Sequence, residues 1–244
     1  MRRQFTLVGI LLAILIGYTF WITSLGELPG TVYFPSSVNK VLHCTVTHLE
    51  LVAIAELTGI VIGVPLGILI TRPRFKKLST LVIGGANVGQ TIPSLALIAI
   101  MVPIFGLSFR AGAVALIIYG LLPIVRNSYA GINNIAPAVV EAARGMGMSE
   151  GEIARKVELP LALPVIMAGI RVSTVITVGT AELAGFIGAG GLGTITLTGV
   201  VARNPLLILQ GAAPTAALAV ALGLILALIE KRMAPWGRAE LELA

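Results

Sequence analysis

Three stretches without a single charged residue set the terms for this chain: Leu7 to Leu25, Leu78 to Ile104 and Pro205 to Ile229. A helix needs about 20 apolar residues to cross a bilayer. One such helix can hide in a large soluble protein, but 244 residues cannot enclose several. Within lipid every backbone amide must find its partner inside the segment, so these runs are expected to fold as spanning helices. Only 11% of the residues are charged and 57% are hydrophobic, against about 25% charged in ordinary soluble domains. The sequence therefore predicts an all-α polytopic membrane protein with about six spans, near 7–25, 50–71, 79–104, 108–125, 164–186 and 206–229.

Charge gives these spans a direction. With the N-terminus inside, fourteen of the seventeen Lys and Arg residues fall on the cytoplasmic side, leaving only Lys40, Arg110 and Arg203 outside. The positive-inside rule then puts both termini and the polar segment 126–163 in the cytoplasm of a cell whose inner membrane holds the protein. The net charge of +6 requires no nucleic acid, because anionic lipid of the inner leaflet accounts for it. The first span has the basic start of a signal peptide, but its apolar core is too long and no Ala-x-Ala site follows, so a retained anchor is expected. The chain divides into an anchor and outer loop (1–48), a permease-like core (49–231) containing a polar loop (134–163), and a tail (232–244). It has no internal repeat or soluble domain.

The polar loop is the most specific local feature. Pro137 is a good first helical residue, since its missing N–H would be unpaired there anyway. The run to Met146 ends at Gly147, which can take the left-handed conformation that closes a helix. Ser149 and Glu152 have capping-box spacing for a second helix, expected to run until Pro160 interrupts it. A polar helix–Gly–helix protruding from a membrane protein has the shape of a docking element.

The order Glu141-Ala142-Ala143, Gly147, Val157, Leu159-Pro160 resembles the signature loop of binding-protein-dependent ABC importer permeases. Five further segments are similar to the osmoprotectant branch, whose members carry glycine betaine, choline, carnitine or proline betaine. They are Gln90 to Ala96, Tyr119 to Asn127, Gly145 to Met148, Gly169 to Arg171 and Gly188 to Gly193. The resemblance covers roughly residues 45–230 and implies a type I importer core of the methionine- and maltose-permease kind, with cytoplasmic coupling helices. It also implies ABC ATPase subunits inside, a solute-binding protein outside and a second permease copy, identical or paralogous. On that reading Glu141 makes a charge-assisted contact to the ATPase, and Ala142 and Ala143 keep the contact face small. Gly147 supplies the bend. Met146 and Met148 supply adaptable packing, and Gly145, Val157, Leu159 and Pro160 complete the loop.

Other patterns weigh against catalysis. Gly188-x-Gly190-x-x-Gly193 matches the dinucleotide fingerprint in letters, but no strand precedes it, so it is read as a tight turn near the pathway mouth. There is no Gly-Lys dipeptide for a P-loop and no Asp at all to hold Mg²⁺. His43 and His48 are too few for a zinc site, and His48 is expected at the membrane interface. Cys44, the single cysteine, is read as an idle thiol. No catalytic residue, metal or cofactor is expected.

Gly59, Gly63 and Gly67, spaced by four around Pro65, are expected to let helices approach closely. Pro93, Pro103, Pro123 and Pro214 are expected to interrupt spans. Glu56 and Glu182 lie within spans, where ionisable groups suggest function or a buried partner. Glu182 is expected to line the path and attract a cation, and Glu56 could face Asn87 and Gln90. Tyr119, Phe105 and Phe186 are possible pathway aromatics for a quaternary ammonium, although core packing explains each as well. The function that follows is an ATP-driven permease for compatible solutes. The alternatives are an ion-coupled secondary transporter using Glu56 and Glu182, or an ABC importer for another solute such as an amino acid.

Overall fold

The computed structural model describes residues 38–233 and four isolated helical positions, Gly9, Ala13, Gly17 and Trp21. The first expected span and the tail thus lie largely outside the described residues. All regular structure among the described residues is helical. In chain order the elements are α1 (Val38–Leu69), a 3₁₀ turn (Pro73–Phe75), α2 (Lys76–Gly89), α3 (Ser94–Phe105) and α4 (Phe109–Asn133). The short α5 (Pro137–Gly145) and α6 (Glu150–Ile153) follow, then a π-helical turn (Ala154–Glu158) leading into α7 (Leu159–Ala184). After a 3₁₀ turn (Gly185–Ile187) come α8 (Gly193–Val201) and α9 (Pro205–Met233).

Among the described residues four helical stretches are long and apolar enough to cross a membrane: Val38–Leu69, Phe109–Asn133, Glu150–Ile187 and Pro205–Met233. The expected span 79–104 is not one helix. It breaks over residues 90–93, where Pro93 can give no amide to a continuing ladder and stands in extended conformation before α3. Counted as one broken span, α2 and α3 make a fifth crossing. Pro65, Pro103, Pro123 and Pro214, by contrast, sit inside continuous helices. Elsewhere the helices run longer than hydropathy implies. α1 starts at Val38 rather than near 50, because residues 38–48 keep a helical pattern although they are more polar.

The chain forms two compact units, each assembled from separate segments. Among the described residues the first comprises those up to 57, 92–120 and 174–223; the second comprises 58–91, 121–173 and those from 224 on. In the first, Leu51, Ala55, Ile98, Leu116, Val178 and Ala184 form the principal core, and Val41, Cys44, Leu192, Ile195 and Leu207 form a smaller one. In the second, Ile124, Ile132, Ala162, Ile166 and Ile170 pack with Ile60, Val64 and Ile68. The glycine face of α1 meets α4 there. A Cβ on Gly63 would stand 2.9 Å from the Ile124 side chain, and one on Gly67 would stand 2.7 Å from the Val125 carbonyl. Small residues admit this approach because packing, with no help from water, joins helices in lipid.

Candidate functional site

Two groups of polar residues stand out, one in each unit. In the second unit α5 and α6 form the helix–Gly–helix. Pro137 opens α5, and Gly147, at φ +82°, closes it. The Met148 N–H bonds the Ala143 carbonyl at 3.2 Å and the Gly147 N–H bonds that of Arg144 at 2.9 Å, satisfying carbonyls that a helix end leaves open. Ser149 caps α6, and the Glu152 carboxylate accepts its N–H at 3.1 Å and its hydroxyl at 3.0 Å. Lys156 donates to the other oxygen at 3.0 Å. This ammonium first, then the Ser149 donors, pull the Glu152 carboxyl down to about 2.

A bidentate pair joins the two short helices across the turn. Arg144 Nε lies 2.7 Å from Glu150 Oε1, and Nη2 lies 3.2 Å from Oε2. The pair raises the guanidinium pKa and lowers that of the carboxyl. Arg72, just beyond α1, donates to the buried Glu158 of the π-helical turn at 2.6 Å. These residues, with Thr71, Pro73, Asn133, Pro137, Val140 and Glu141, line a cleft of about 560 Å³. Glu141 is exposed at its wall.

The loop departs from the sequence expectation in two ways. Ala142 and Ala143 do not share a face: Ala142 is exposed and Ala143 is buried, because neighbours along a helix point about 100° apart. Pro160 does not end the second helix. The Leu159 N–H reaches back five residues to the Ala154 carbonyl, and this widened turn absorbs the missing amide and the ring of Pro160, so the helix runs on into α7. Met146, 75% exposed, and Gly145 complete the outer end of α5, while Met148 and Val157 are half-buried and Leu159 is exposed.

In the first unit hydroxyl groups surround two acids. Glu56 of α1 is buried and accepts from Thr177 at 2.7 Å and Thr174 at 3.2 Å, both on α7. Glu182, near the end of α7, accepts from Thr196 of α8 through Oε1 and from Thr215 of α9 through Oε2. Each of its oxygens thus receives one hydroxyl, and the residue is half-buried. His48 is not interfacial. It is wholly buried, with Nε2 3.0 Å from the Val178 carbonyl, because the turn 188–193 covers it and Gly191 abuts its ring. That turn needs glycine: Gly188, Gly190 and Gly191 all have positive φ.

Among the other expected residues, Tyr119 and Phe186 are half-buried in the first unit, and Phe105 is exposed at the end of α3. Asn87 and Gln90 belong to the second unit, exposed and half-buried respectively. Cys44 is buried with Sγ 3.6 Å from Thr194 Oγ1. No group of three metal-ligating side chains occurs among the described residues. Sequence reasoning missed the threonines and the Arg72–Glu158 and Arg144–Glu150 pairs. The spacing Thr174, Thr177, which places both on one helix face, was the available signal for the first.

Comparison with known proteins adds the rest. The family described as the binding-protein-dependent transport system inner membrane component matches residues 63–236. The choline transport system permease OpuBB of Bacillus subtilis is 40% identical over 86% of this chain and 96% of its own. The glycine betaine/carnitine/choline permease OpuCB of the same organism is 42% identical over 84% and 94%. The osmoprotectant import permease OsmW of Salmonella typhimurium is 39% identical over 84% and 97%. An inward-facing MetNI methionine ABC transporter structure matches with TM-score 0.72 and 26% identity, over 80% of this chain and 96% of that one. An amino acid ABC transporter structure has the same fold, with TM-score 0.66 and 21% identity over 80% and 94%.

Proposed function

This chain belongs to the inner-membrane components of binding-protein-dependent transport systems, and from that premise we propose that it carries compatible solutes of the glycine betaine, choline and carnitine class. The family is a multi-pass, non-enzymatic permease component, so ATP hydrolysis belongs to partner subunits. The observation that carries the choice of solute is the 40–42% identity, along most of both chains, to permeases of choline and glycine betaine systems. Two permease copies form the pathway between them, an ATPase pair docks on the cytoplasmic side with both termini, and a solute-binding protein delivers from outside.

The coupling element is the helix pair 137–159. ATPase closure pushes on it, and this shifts the permease between inward- and outward-open states only insofar as the ATPase contacts those states differently. Glu141, at the wall of the cleft, takes a cation of the ATPase; Ala142 keeps the approach short, and Met146 offers an exposed apolar knob. Gly147 sets the angle, with Gly145 and Met148 beside it, and Val157, Leu159 and Pro160 carry the push into α7. Ala143 works from beneath, as the buried support of α5. Tyr119 and Phe186 are the first unit's candidates for the solute path, and Asn87 and Gln90 are the second unit's; Glu56 and Glu182 serve helix packing within the first unit.

Uptake of labelled choline and glycine betaine into proteoliposomes tests this, using the full complex with its ATPase and binding protein. Uptake that needs both ATP and the binding protein is expected. Uptake that survives without ATP and collapses with an ionophore would overturn it in favour of an ion-coupled carrier. ATP hydrolysis stimulated by the binding protein, with neither compound moved, would keep the class and discard the solute. Gly147→Asp should insert normally and lose coupled uptake.

A further inference from the structure

The surroundings of Glu182 are built for closeness. The short helix α8 leaves the turn 188–193 and meets α7 and α9 with glycine at each approach. A Cβ on Gly193 would collide with the Glu182 carbonyl oxygen, and one on Gly185 would stand 2.7 Å from the Gly193 Cα. On α9, a Cβ on Gly211 would stand 2.8 Å from the Thr196 nitrogen. Three backbones thus converge on one carboxylate. Its Oε1 receives the Thr196 hydroxyl and its Oε2 the Thr215 hydroxyl, so one side chain of α7 holds both neighbouring helices. The Thr215 hydroxyl also lies 3.1 Å from the Gly211 carbonyl, one turn earlier on α9, which aims its oxygen into the junction. Thr196 and Thr215 are themselves buried.

An acid is an unusual choice for such a junction in an apolar protein. Two hydroxyls could pair with each other, or be replaced by methyls, at little cost. A carboxylate has two acceptor oxygens set at a fixed angle and can receive both donors at once; an amide offers only one acceptor oxygen. What the junction fixes is the glycine turn, because the turn is tied at one end to α7 through Gly185 and at the other to α8 through Gly193 and Thr196. The same turn rests on α1: a Cβ on Gly190 would meet Thr47, and one on Gly191 the His48 ring.

We propose that Glu182 is a positioning residue for transport: by accepting from Thr196 and Thr215 together it clamps α8 between α7 and α9 and holds the 188–193 turn in one conformation as the solute path opens and closes. The proposal rests on the transport function argued above. Glu182 acts as an acceptor of two hydroxyls and not as a charge met by the solute.

The test uses the full complex in proteoliposomes with labelled glycine betaine and choline, and reads uptake per assembled complex alongside ATP hydrolysis. Wild-type protein without ATP-dependent uptake would sink the transport reading itself, separately from the clamp. Given wild-type uptake, Thr196→Val/Thr215→Val should lower the maximal rate about tenfold or more. The half-saturating solute concentration should stay unchanged and the ATP spent per solute should rise. Glu182→Gln should do the same, and joining it to the threonine pair should add little. Thr196→Ser should restore the rate lost in Thr196→Val. A change that merely weakened the fold would reduce the amount of assembled complex without altering the ATP-to-solute ratio. Should the double variant fail to assemble, the Val and Ser variants of Thr196 alone decide. Threonine variants at the wild-type rate, with Glu182→Gln inactive, would overturn the clamp and make Glu182 a pathway charge.

Discussion

In the second unit Glu150, Glu152, Glu158 and Glu230 each face a cation, Arg144, Lys156, Arg72 and Arg171 respectively. In the first unit Glu56 and Glu182 accept from threonine hydroxyls. The same side chain is thus used in two ways, and its own burial does not decide which, since Glu56 and Glu158 are equally buried at 7%. Where water reaches the pair, as at Arg144 and Glu150, an ion pair costs little to form and contributes little to stability. It orients two short helices at the surface, which is what a docking element needs. Inside an apolar unit a lone cation would be expensive to bring in, and hydroxyls satisfy a carboxylate without adding a second charge to desolvate.

The contrast can be broken at several points. The largest effect should come from Gly193→Ala, where the new methyl meets backbone that cannot move aside. Thermal unfolding of the assembled complex should show a loss of about 3 kcal/mol or more. Thr177→Val, which removes a donor from buried Glu56, should cost about 2 kcal/mol by the same measurement. Glu158→Gln should cost less, about 1 kcal/mol, because Arg72 is 31% exposed and water softens the loss. If Glu158→Gln proves costlier than Thr177→Val, solvent access to the Arg72 partner is not what lowers the cost.

Acid sharpens the surface side. The Glu152 carboxyl is held at about 2, below its ordinary 4.5, so the stability it lends the start of α6 is complete above pH 4.5 and is lost as pH falls toward 2. The protection of the Ile153 amide, its exchange relative to the intrinsic rate at each pH, should therefore fall across that interval in the native chain, and Glu152→Gln should remove that fall. The smallest effect belongs to Gly151→Ala. Nothing lies within 4 Å of the added methyl, and the helix should gain about 0.5 kcal/mol or less. The same chemical change is thus ruinous at Gly193 and harmless at Gly151.

Much of this was readable beforehand, for definite reasons. Long uncharged runs become helix in lipid, whole or broken, and the helix ends at Pro137, Gly147 and Ser149 depend on the chemistry of a few adjacent residues. The break before α3 was harder to read, since Pro93 ends a helix while Pro103, Pro123 and Pro214 do not. Whether a proline breaks a helix depends on what surrounds the freed carbonyl, and no local pattern records that. Pro160 is the same case, rescued by a π turn placed before it. His48 looked interfacial because its burial is supplied by a turn more than 140 residues further along the chain.

Local and periodic chemistry by itself determined the helical class, the spans near 50–71, 108–125, 164–186 and 206–229, the helix–Gly–helix and its caps, and through the signature order the family. Those properties depend on neighbours within a turn or two, so the sequence carries them in full. Only the tertiary structure decided which acids meet cations and which meet hydroxyls, that Ala143 lies buried beside exposed Ala142, and that Glu182 joins three helices. Those outcomes are set by residues distant in sequence, whose approach depends on glycines such as Gly193 and Gly211 admitting backbone to backbone, and on the cost of burying a polar group without a hydrogen-bond partner.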